Sequence, residues 1–463
     1  MLFAIASSIL GIIAFLPLKF YFLGFIFLLP FFYFLVREEE FGKIFWGTFL
    51  FRALFSAGSA FYAFELLMWT SSWLIFLGLA PIIFILNKVF FKYKFAKIIY
   101  VPVAFLCFDL LEAQYSALPT YILTAGNLLG ASPFAGLAKY GGILALEFFV
   151  ILVNSFFLVG WLNWKTLASK KIFLILALIS LGVFFLGAWW LADDALRNNA
   201  GKQTQANRHL NVTAVSVKSS SQNESDLSAM ILAWASLKTD LLVLPEELFV
   251  KPFNQAFDLA QASETIKAFN SQATYIVSTF RLGRAGKIYN TALLFNKRGD
   301  IIDQYDKNKL VLFGEYWPYT WRPPFYDFLK EDPVMQNYAL FDPENSYEVG
   351  RAKLLQGDGE LKLKIGTLIC VEGYYASMLT DYRKMGAELI INPVSNNWLS
   401  TGQAQFYYLS SNLYRIESIQ AGLPIIVSGI DSFAGIFLPD GSSKMEKYAQ
   451  GENYKTLTQD IKY

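Results

Sequence analysis

Three polar side chains stand at the ends of apolar runs in the second half of the chain. Glu246 follows Leu241-Leu242-Val243-Leu244-Pro245, Lys307 follows Ile301-Ile302-Asp303-Gln304-Tyr305-Asp306, and Cys370 follows Ile365-Gly366-Thr367-Leu368-Ile369. Open α/β sheets collect ligands and catalysts at the C-terminal ends of their strands. Singly, each residue has a structural use: a strand-end Cys packs as a small hydrophobe, a Glu after Pro caps a turn, and a Lys in a charged loop is solvated. Together they are a base, a cation and a thiol. A thiol with a pKa of ~8.5 is mostly protonated at neutral pH and needs a base or a nearby cation to become a nucleophile. Glu246 can take the proton, and Lys307 can stabilise both the thiolate and the oxyanion that forms on acyl attack. Such a set supports acyl transfer through a thioester if the fold brings the three together, which spacing alone does not show. The chain holds one histidine, His209, and two cysteines, Cys107 and Cys370, so a disulfide framework is excluded and neither a metal site nor any cofactor is expected.

The elements that must position these residues can be read from the patterning. Period-two and continuous apolar runs predict strands over 211–217, 240–244, 275–279, 291–295, 363–369, 388–392 and 424–428, with a turn over 297–300. Helical spacing predicts helices over 225–237, 257–269, 376–385 and 405–421. Alternation of strands and helices points to an α/β layered domain. A polar stretch over 193–208 reads as the linker in front of it.

The first 192 residues have a different character. The 463-residue chain is 55% hydrophobic and only 16% charged, with a mean hydropathy of +0.38, against about 25% charged in soluble domains. Apolar runs near 2–18, 20–36, 53–69, 72–87, 98–113, 141–161 and 172–192 are candidate membrane spans. The first lacks a basic leader and a small-residue cleavage site, so it reads as retained. The second, fourth and sixth loops carry Arg37, Lys43, Lys88, Lys92, Lys94, Lys97, Lys165, Lys170 and Lys171, with Arg52 beside them, whereas the other loops hold only Lys19 and Lys139. The positive-inside rule then puts the N-terminus in the cytoplasm and residues 193–463 outside. Glu65, Asp109, Glu112 and Glu147 lie in or beside the spans, where a carboxylate serves either function or inter-helix hydrogen bonding. A net charge of +2 without a basic stripe predicts no nucleic-acid partner.

Several longer motifs connect these observations. They are Leu-Pro-Glu at 244–246, Tyr-Asn-Thr-Ala at 289–292, Tyr305-Asp-Lys-Asn-Lys-Leu-Val-Leu-Phe-Gly-Glu-Tyr-Trp-Pro318, Ile369-Cys-Val-Glu372, Gly386-Ala-Glu-Leu-Ile-Ile-Asn392 with Trp398, and Arg415-Ile-Glu417 with Pro424. On these residues the soluble part resembles the nitrilase (carbon–nitrogen hydrolase) superfamily, and with the spans in front the whole resembles the bacterial apolipoprotein N-acyltransferases. The resemblance implies an α-helical transmembrane bundle of about seven spans over 1–192, a linker over 193–210, and an α/β nitrilase-like four-layer α-β-β-α sandwich over 211–463. It implies catalysis by Glu246 as general base, Lys307 as the triad lysine and Cys370 as nucleophile. Glu315 and Glu372 would support them, with Trp398 and Tyr316 beside the substrate cleft. The implied partners are a phospholipid acyl donor and a diacylated apolipoprotein acceptor. The implied location is the bacterial inner membrane with the catalytic domain on the periplasmic side.

The chain departs from the family pattern in places. Val371 stands where Tyr is usual, Ser395-Asn396-Asn397 replaces Asn-Asp-Ala, Lys309 replaces a common His, and Val427-Ser-Gly-Ile-Asp-Ser-Phe-Ala434 replaces Arg-Ala-Thr-Asn-Thr-Gly-Ile-Ser. Residues 441–463 are polar where the family has an eighth membrane helix, so a truncated or divergent member is expected. These changes bear on the acceptor and leave the triad intact. Two other readings stand beside acyl transfer: a membrane-tethered amidase with water as acceptor, and a transporter-like protein whose soluble domain regulates it.

Overall fold

A computed structural model describes residues 1–18, 20–59, 76–90, 94–115, 121–163, 171–205, 208–221, 224–249, 255–311, 315–316, 347–358, 362–397 and 403–463. They fall into two compact units, 1–198 with 399–420, and 199–398 with 421–463.

The first unit contains helices α1 (Leu2–Phe15), α2 (Leu29–Arg37), α3 (Phe41–Ser59), α4 (Leu79–Val89), α5 (Lys94–Tyr115), α6 (Ala138–Leu162) and most of α7 (Lys171–Gln205). Its core is built on phenylalanine: Phe31 stacks on Phe51 at 4.2 Å, and Phe105 meets Phe32 and Phe76 edge-on. Among the described residues two helices are long and apolar enough to cross a membrane, 135–162 and 178–203. They match the last two of the expected runs. The apolar helices over 2–15, 21–37 and 79–89 are shorter, and the runs at 53–69 and 72–87 fall partly outside the described residues. Arg52, read as a charge at the start of a span, lies inside α3, buried and 3.7 Å from Asp109. The polar stretch read as a linker is helical as far as Gln205, because α7 runs on for 35 residues.

The second unit is a twelve-stranded sheet: β1 (His209–Val217), β2 (Leu241–Val243), β3 (Tyr275–Arg284), β4 (Lys287–Asn296), β5 (Ile301–Asp306), β6 (Leu354–Gln356), β7 (Lys364–Thr367), β8 (Leu389–Ser395), β9 (Ile425–Ile430), β10 (Ala434–Phe437), β11 (Ser443–Glu446) and β12 (Tyr454–Lys462). The order is β5-β4-β3-β2-β1-β9-β8-β7-β6, parallel from β3 through β7 and antiparallel at both ends. One buried cluster joins Val212, Val243, Val277 and Leu294 to Leu355, Ile365, Ile391 and Ile426. Strands from both ends of the sheet share it, so the sheet folds over and its halves face each other across an apolar layer. Helices α8 (Glu224–Ala235) and α9 (Leu259–Lys267) cover one outer face through Met230, Trp234, Ala262 and Ile266. Helix α10 (Ala376–Lys384) covers the other, where buried Tyr382 donates to the Thr367 carbonyl at 2.6 Å.

The polar tail is not idle. β12 pairs antiparallel with β1 at nine positions, from His209↔Lys462 to Val217↔Tyr454. Helix α11 (Gln403–Ala421), between β8 and β9 in the chain, groups up to residue 420 with the first unit. There Asn127 Nδ2 donates to the Leu409 carbonyl at 3.0 Å, and Arg415 donates to the Gly130 carbonyl at 2.7 Å.

Candidate active site

Glu246, Lys307 and Cys370 each emerge just past the C-terminal end of a strand, namely β2, β5 and β7. Pro245 ends β2, since proline has no N–H to continue a ladder. Glu246 is then turned into the unit with only 4% of its surface exposed. Its Oε1 accepts Lys307 Nζ at 3.3 Å and Asn290 Nδ2 at 2.9 Å, and its Oε2 accepts the Ser395 N–H at 3.1 Å. Glu247 differs at once: it has a φ of +57° and an exposed side chain.

Lys307 is fully buried and also donates to Glu315 Oε1 at 2.7 Å. Glu315 is fixed in turn by the Val311 N–H, 2.9 Å from its Oε2. The ammonium therefore lies between two carboxylates. Burial works against its charge, but Glu246 and Glu315 outweigh that and hold its pKa well above the ordinary lysine value. Burial likewise raises the pKa of Glu246, with Lys307 opposing. The base is thus stronger than an ordinary carboxylate.

Cys370 opens a 3₁₀ turn, Cys370–Tyr374, with a φ of +52°. A left-handed non-glycine residue costs about 1–3 kcal/mol and persists only where its surroundings over-determine it. Here they do. Asn392 Nδ2 donates to the carbonyls of Leu368 at 2.9 Å and Cys370 at 3.2 Å, and Glu372 Oε2 accepts the Ile369 N–H at 2.7 Å. The other oxygen of Glu372 accepts from Tyr305 Oη at 2.8 Å and from the N–H groups of Asn308 at 2.6 Å and Lys309 at 2.8 Å. One buried carboxylate thereby clamps the lysine loop to the cysteine turn. Burial pushes the Glu372 carboxyl up to about 7, against the backbone donors that favour its anion.

The Cys370 thiol faces the Glu246 carboxylate. Burial and that carboxylate hold the thiol well above its usual pKa, with Lys307 pulling the other way. The resting site is a protonated thiol beside an anionic base and a cation. Its proton must leave as the nucleophile attacks.

Known protein families match both parts of the chain. The family described as apolipoprotein N-acyltransferase N-terminal domain matches residues 7–156, and the family described as carbon–nitrogen hydrolase matches residues 206–429. In both parts the chain is similar to the apolipoprotein N-acyltransferases. Its second unit has the carbon–nitrogen hydrolase fold. The apolipoprotein N-acyltransferase of Aquifex aeolicus is 31% identical over 183 residues, 40% of this chain and 37% of that one. That of Geobacter metallireducens is 28% identical over 214 residues, 43% of this chain and 37% of that one. This chain therefore spans less than two-fifths of the length of these curated relatives. An amidase from Nesterenkonia sp. superposes with a TM-score of 0.40 at 13% identity, covering 56% of this chain and 93% of that one.

Of the residues expected at the site, Glu246, Lys307, Cys370, Glu315 and Glu372 meet in one network. Tyr316 is half-buried and placed by its own backbone, its N–H donating to the Val311 carbonyl at 3.4 Å. Trp398 lies outside the described residues. Three participants stood inside the quoted motifs without being given a role from sequence: Asn290, Asn392 and the Ser395 N–H. A buried asparagine inside an apolar strand was the available sign for the first two. Ser395 acts through its backbone, so no residue type could reveal it, and the change from Asn-Asp-Ala to Ser395-Asn396-Asn397 leaves that donor in place.

Proposed function

We propose that this chain transfers a fatty acyl group from a phospholipid, through a thioester on Cys370, to the N-terminal amine of the diacylglyceryl-cysteine of apolipoproteins. The observation that carries the reading is the convergence of Glu246, Lys307, Glu315 and Cys370 in a chain matched at 7–156 by the N-terminal domain of the acyltransferases. Cys370 attacks the ester carbonyl as its proton passes to Glu246, and Lys307 faces the developing oxyanion. The protonated Glu246 returns the proton to the departing lysophospholipid alkoxide. An α-amine, with a pKa of ~7.7–8.0, then attacks the thioester and releases its proton to Glu246; the C–S bond breaks, and Glu246 returns that proton to the departing Cys370 sulfur. One thiol serving two substrates in turn gives ping-pong kinetics. Donor and acceptor are both lipid-anchored, which gives the apolar helical unit a purpose. We place that unit in the bacterial inner membrane as about seven spans, with the catalytic unit on the periplasmic side, as the loop lysines and arginines direct.

The test is intact-mass analysis of the purified chain after incubation with phospholipid, beside Cys370→Ser. An acyl adduct sensitive to hydroxylamine, absent from Cys370→Ser and discharged by a diacylated lipopeptide, is the expected result. An adduct discharged only by water would replace this reading with a hydrolase, and failure of the folded protein to form any adduct would overturn it.

A further inference from the structure

Asn290 lies in β4 opposite Arg281 of β3, and its carbonyl accepts the Lys307 N–H at 2.8 Å. Its buried side chain does something separate. Nδ2 donates to Glu246 Oε1 at 2.9 Å and to Glu315 Oε1 at 3.1 Å. The same two oxygens accept Lys307 Nζ at 3.3 and 2.7 Å. Two carboxylate oxygens and two nitrogens thus close a ring, with an ammonium on one side and a neutral amide on the other. The amide has two N–H donors and does not titrate, so its support is unaffected by the charge of its neighbours.

The donors can be counted against the acceptor sites. A carboxylate offers about four lone-pair sites, two on each oxygen. Glu246 Oε1 already accepts two donors, Lys307 and Asn290. Oε2 accepts one, the Ser395 N–H. We propose that Asn290 is a positioning residue that occupies Glu246 Oε1, so that Oε2 is the atom receiving the Cys370 proton. In that step the S–H bond breaks, an O–H bond forms at Oε2, and sulfur keeps the electron pair beside the Lys307 ammonium. Asn290 also favours the anionic form of Glu246 and so lowers its pKa against the effect of burial. The other ionisable groups facing the ring are Cys370, Glu247, Arg281 of β3, Tyr347 and Glu372. None of them replaces the amide, since none donates to Glu246 Oε1 among the described contacts.

The inference rests on the acyl-transfer reading, but it can be tested without any lipid. Alkylation of Cys370 by iodoacetamide is followed across pH in wild type, Asn290→Ala and Asn290→Ser, with Cys107 separated by peptide mass spectrometry. Loss of the amide should move the acid limb of the Cys370 profile up by about one pH unit in Asn290→Ala. The single hydroxyl donor of Asn290→Ser should produce part of that shift. An unmoved limb in both variants overturns the proposal, and so does a uniformly lower rate without a shift, which is the mark of a packing defect. If Asn290→Ala does not fold, Asn290→Ser decides by the same criterion. Iodoacetamide needs no acyl donor, so a wild type that alkylates normally yet never forms an acyl-enzyme would count against acyl transfer and leave this result standing.

Discussion

At the scale of the residue, the site separates chemistry from stability. Lys307 is buried between two carboxylates, and removing one partner of a buried charge cluster typically costs about 3–5 kcal/mol. Lys307→Met should therefore abolish acylation and also lower the melting temperature clearly. Cys370→Ser removes only the nucleophile and should abolish acylation with the melting temperature nearly unchanged. Thermal melts of the two variants beside wild type check the contrast, and equal melting temperatures would mean that the lysine is not bearing those charges. The base makes a pH prediction. Burial raises the Glu246 pKa, and the base works only when ionised. The acid limb of Cys370 acylation should accordingly lie above the ordinary carboxylate value of 4.5, and single-turnover rates across pH would show it. A limb at the ordinary value would mean that the carboxylate is solvated during turnover.

At the scale of the element, the lysine loop rests on a glycine. Gly350 donates its N–H to the Lys307 carbonyl at 2.8 Å, and its own carbonyl accepts Asn308 Nδ2 at 2.8 Å. A Cβ at this position would sit 2.0 Å from the Asp306 carbonyl oxygen. Backbone cannot yield as a flexible side chain can, so Gly350→Ala should displace the segment that carries Lys307. A shift of about 1 Å in a catalytic group can cost ~100-fold in rate, while overpacking costs about 1–3 kcal/mol. Acylation rate and melting temperature measured together would show a loss of rate larger than the loss of stability explains. The strand ends that carry Glu246 and Cys370 were legible in sequence because each follows a largely apolar run, the pattern of a strand buried on both faces; β5, with Asp303, Gln304 and Asp306 and mostly half-buried, carries only Ile301, Ile302 and Tyr305 as its signal. β10, β11 and β12 were not legible. Tyr454–Lys462 alternates weakly and carries Lys455, Asp460 and Lys462, so its strand character comes from β1, which offers it a full edge. The extension of α7 through 193–205 was hidden for a related reason: a polar helix end has no apolar stripe to announce it.

At the scale of the whole molecule, one buried acid belongs to neither the triad nor its hydrogen-bond network. Glu417 of α11 is buried, and neither carboxylate oxygen has a hydrogen-bond partner among the described residues. Burial alone holds its pKa well above the ordinary value of 4.5. The folded chain therefore keeps a proton that the unfolded chain releases. Stability from this group is full below the unfolded pKa and is lost as pH rises through the folded one. Glu417→Gln cannot titrate, so its melting temperature should gain on wild type as pH is raised from about 5 to about 8. Parallel melting curves for the two proteins would refute the buried acid.

The pairing of β12 with β1 also sets a schedule for synthesis. The Thr213 and Thr458 hydroxyls meet at 2.8 Å across 245 residues of sequence, and contacts of such separation form slowly and late. When β1 leaves the ribosome, neither β9 nor β12 has yet been made, and every residue of the catalytic network lies between β1 and β9 in the chain. A nascent chain stalled before residue 454 thus holds the complete triad while the edge of β1 stands open, able to recruit a strand from another copy. β12, made after every residue of the triad, is the strand that closes that edge.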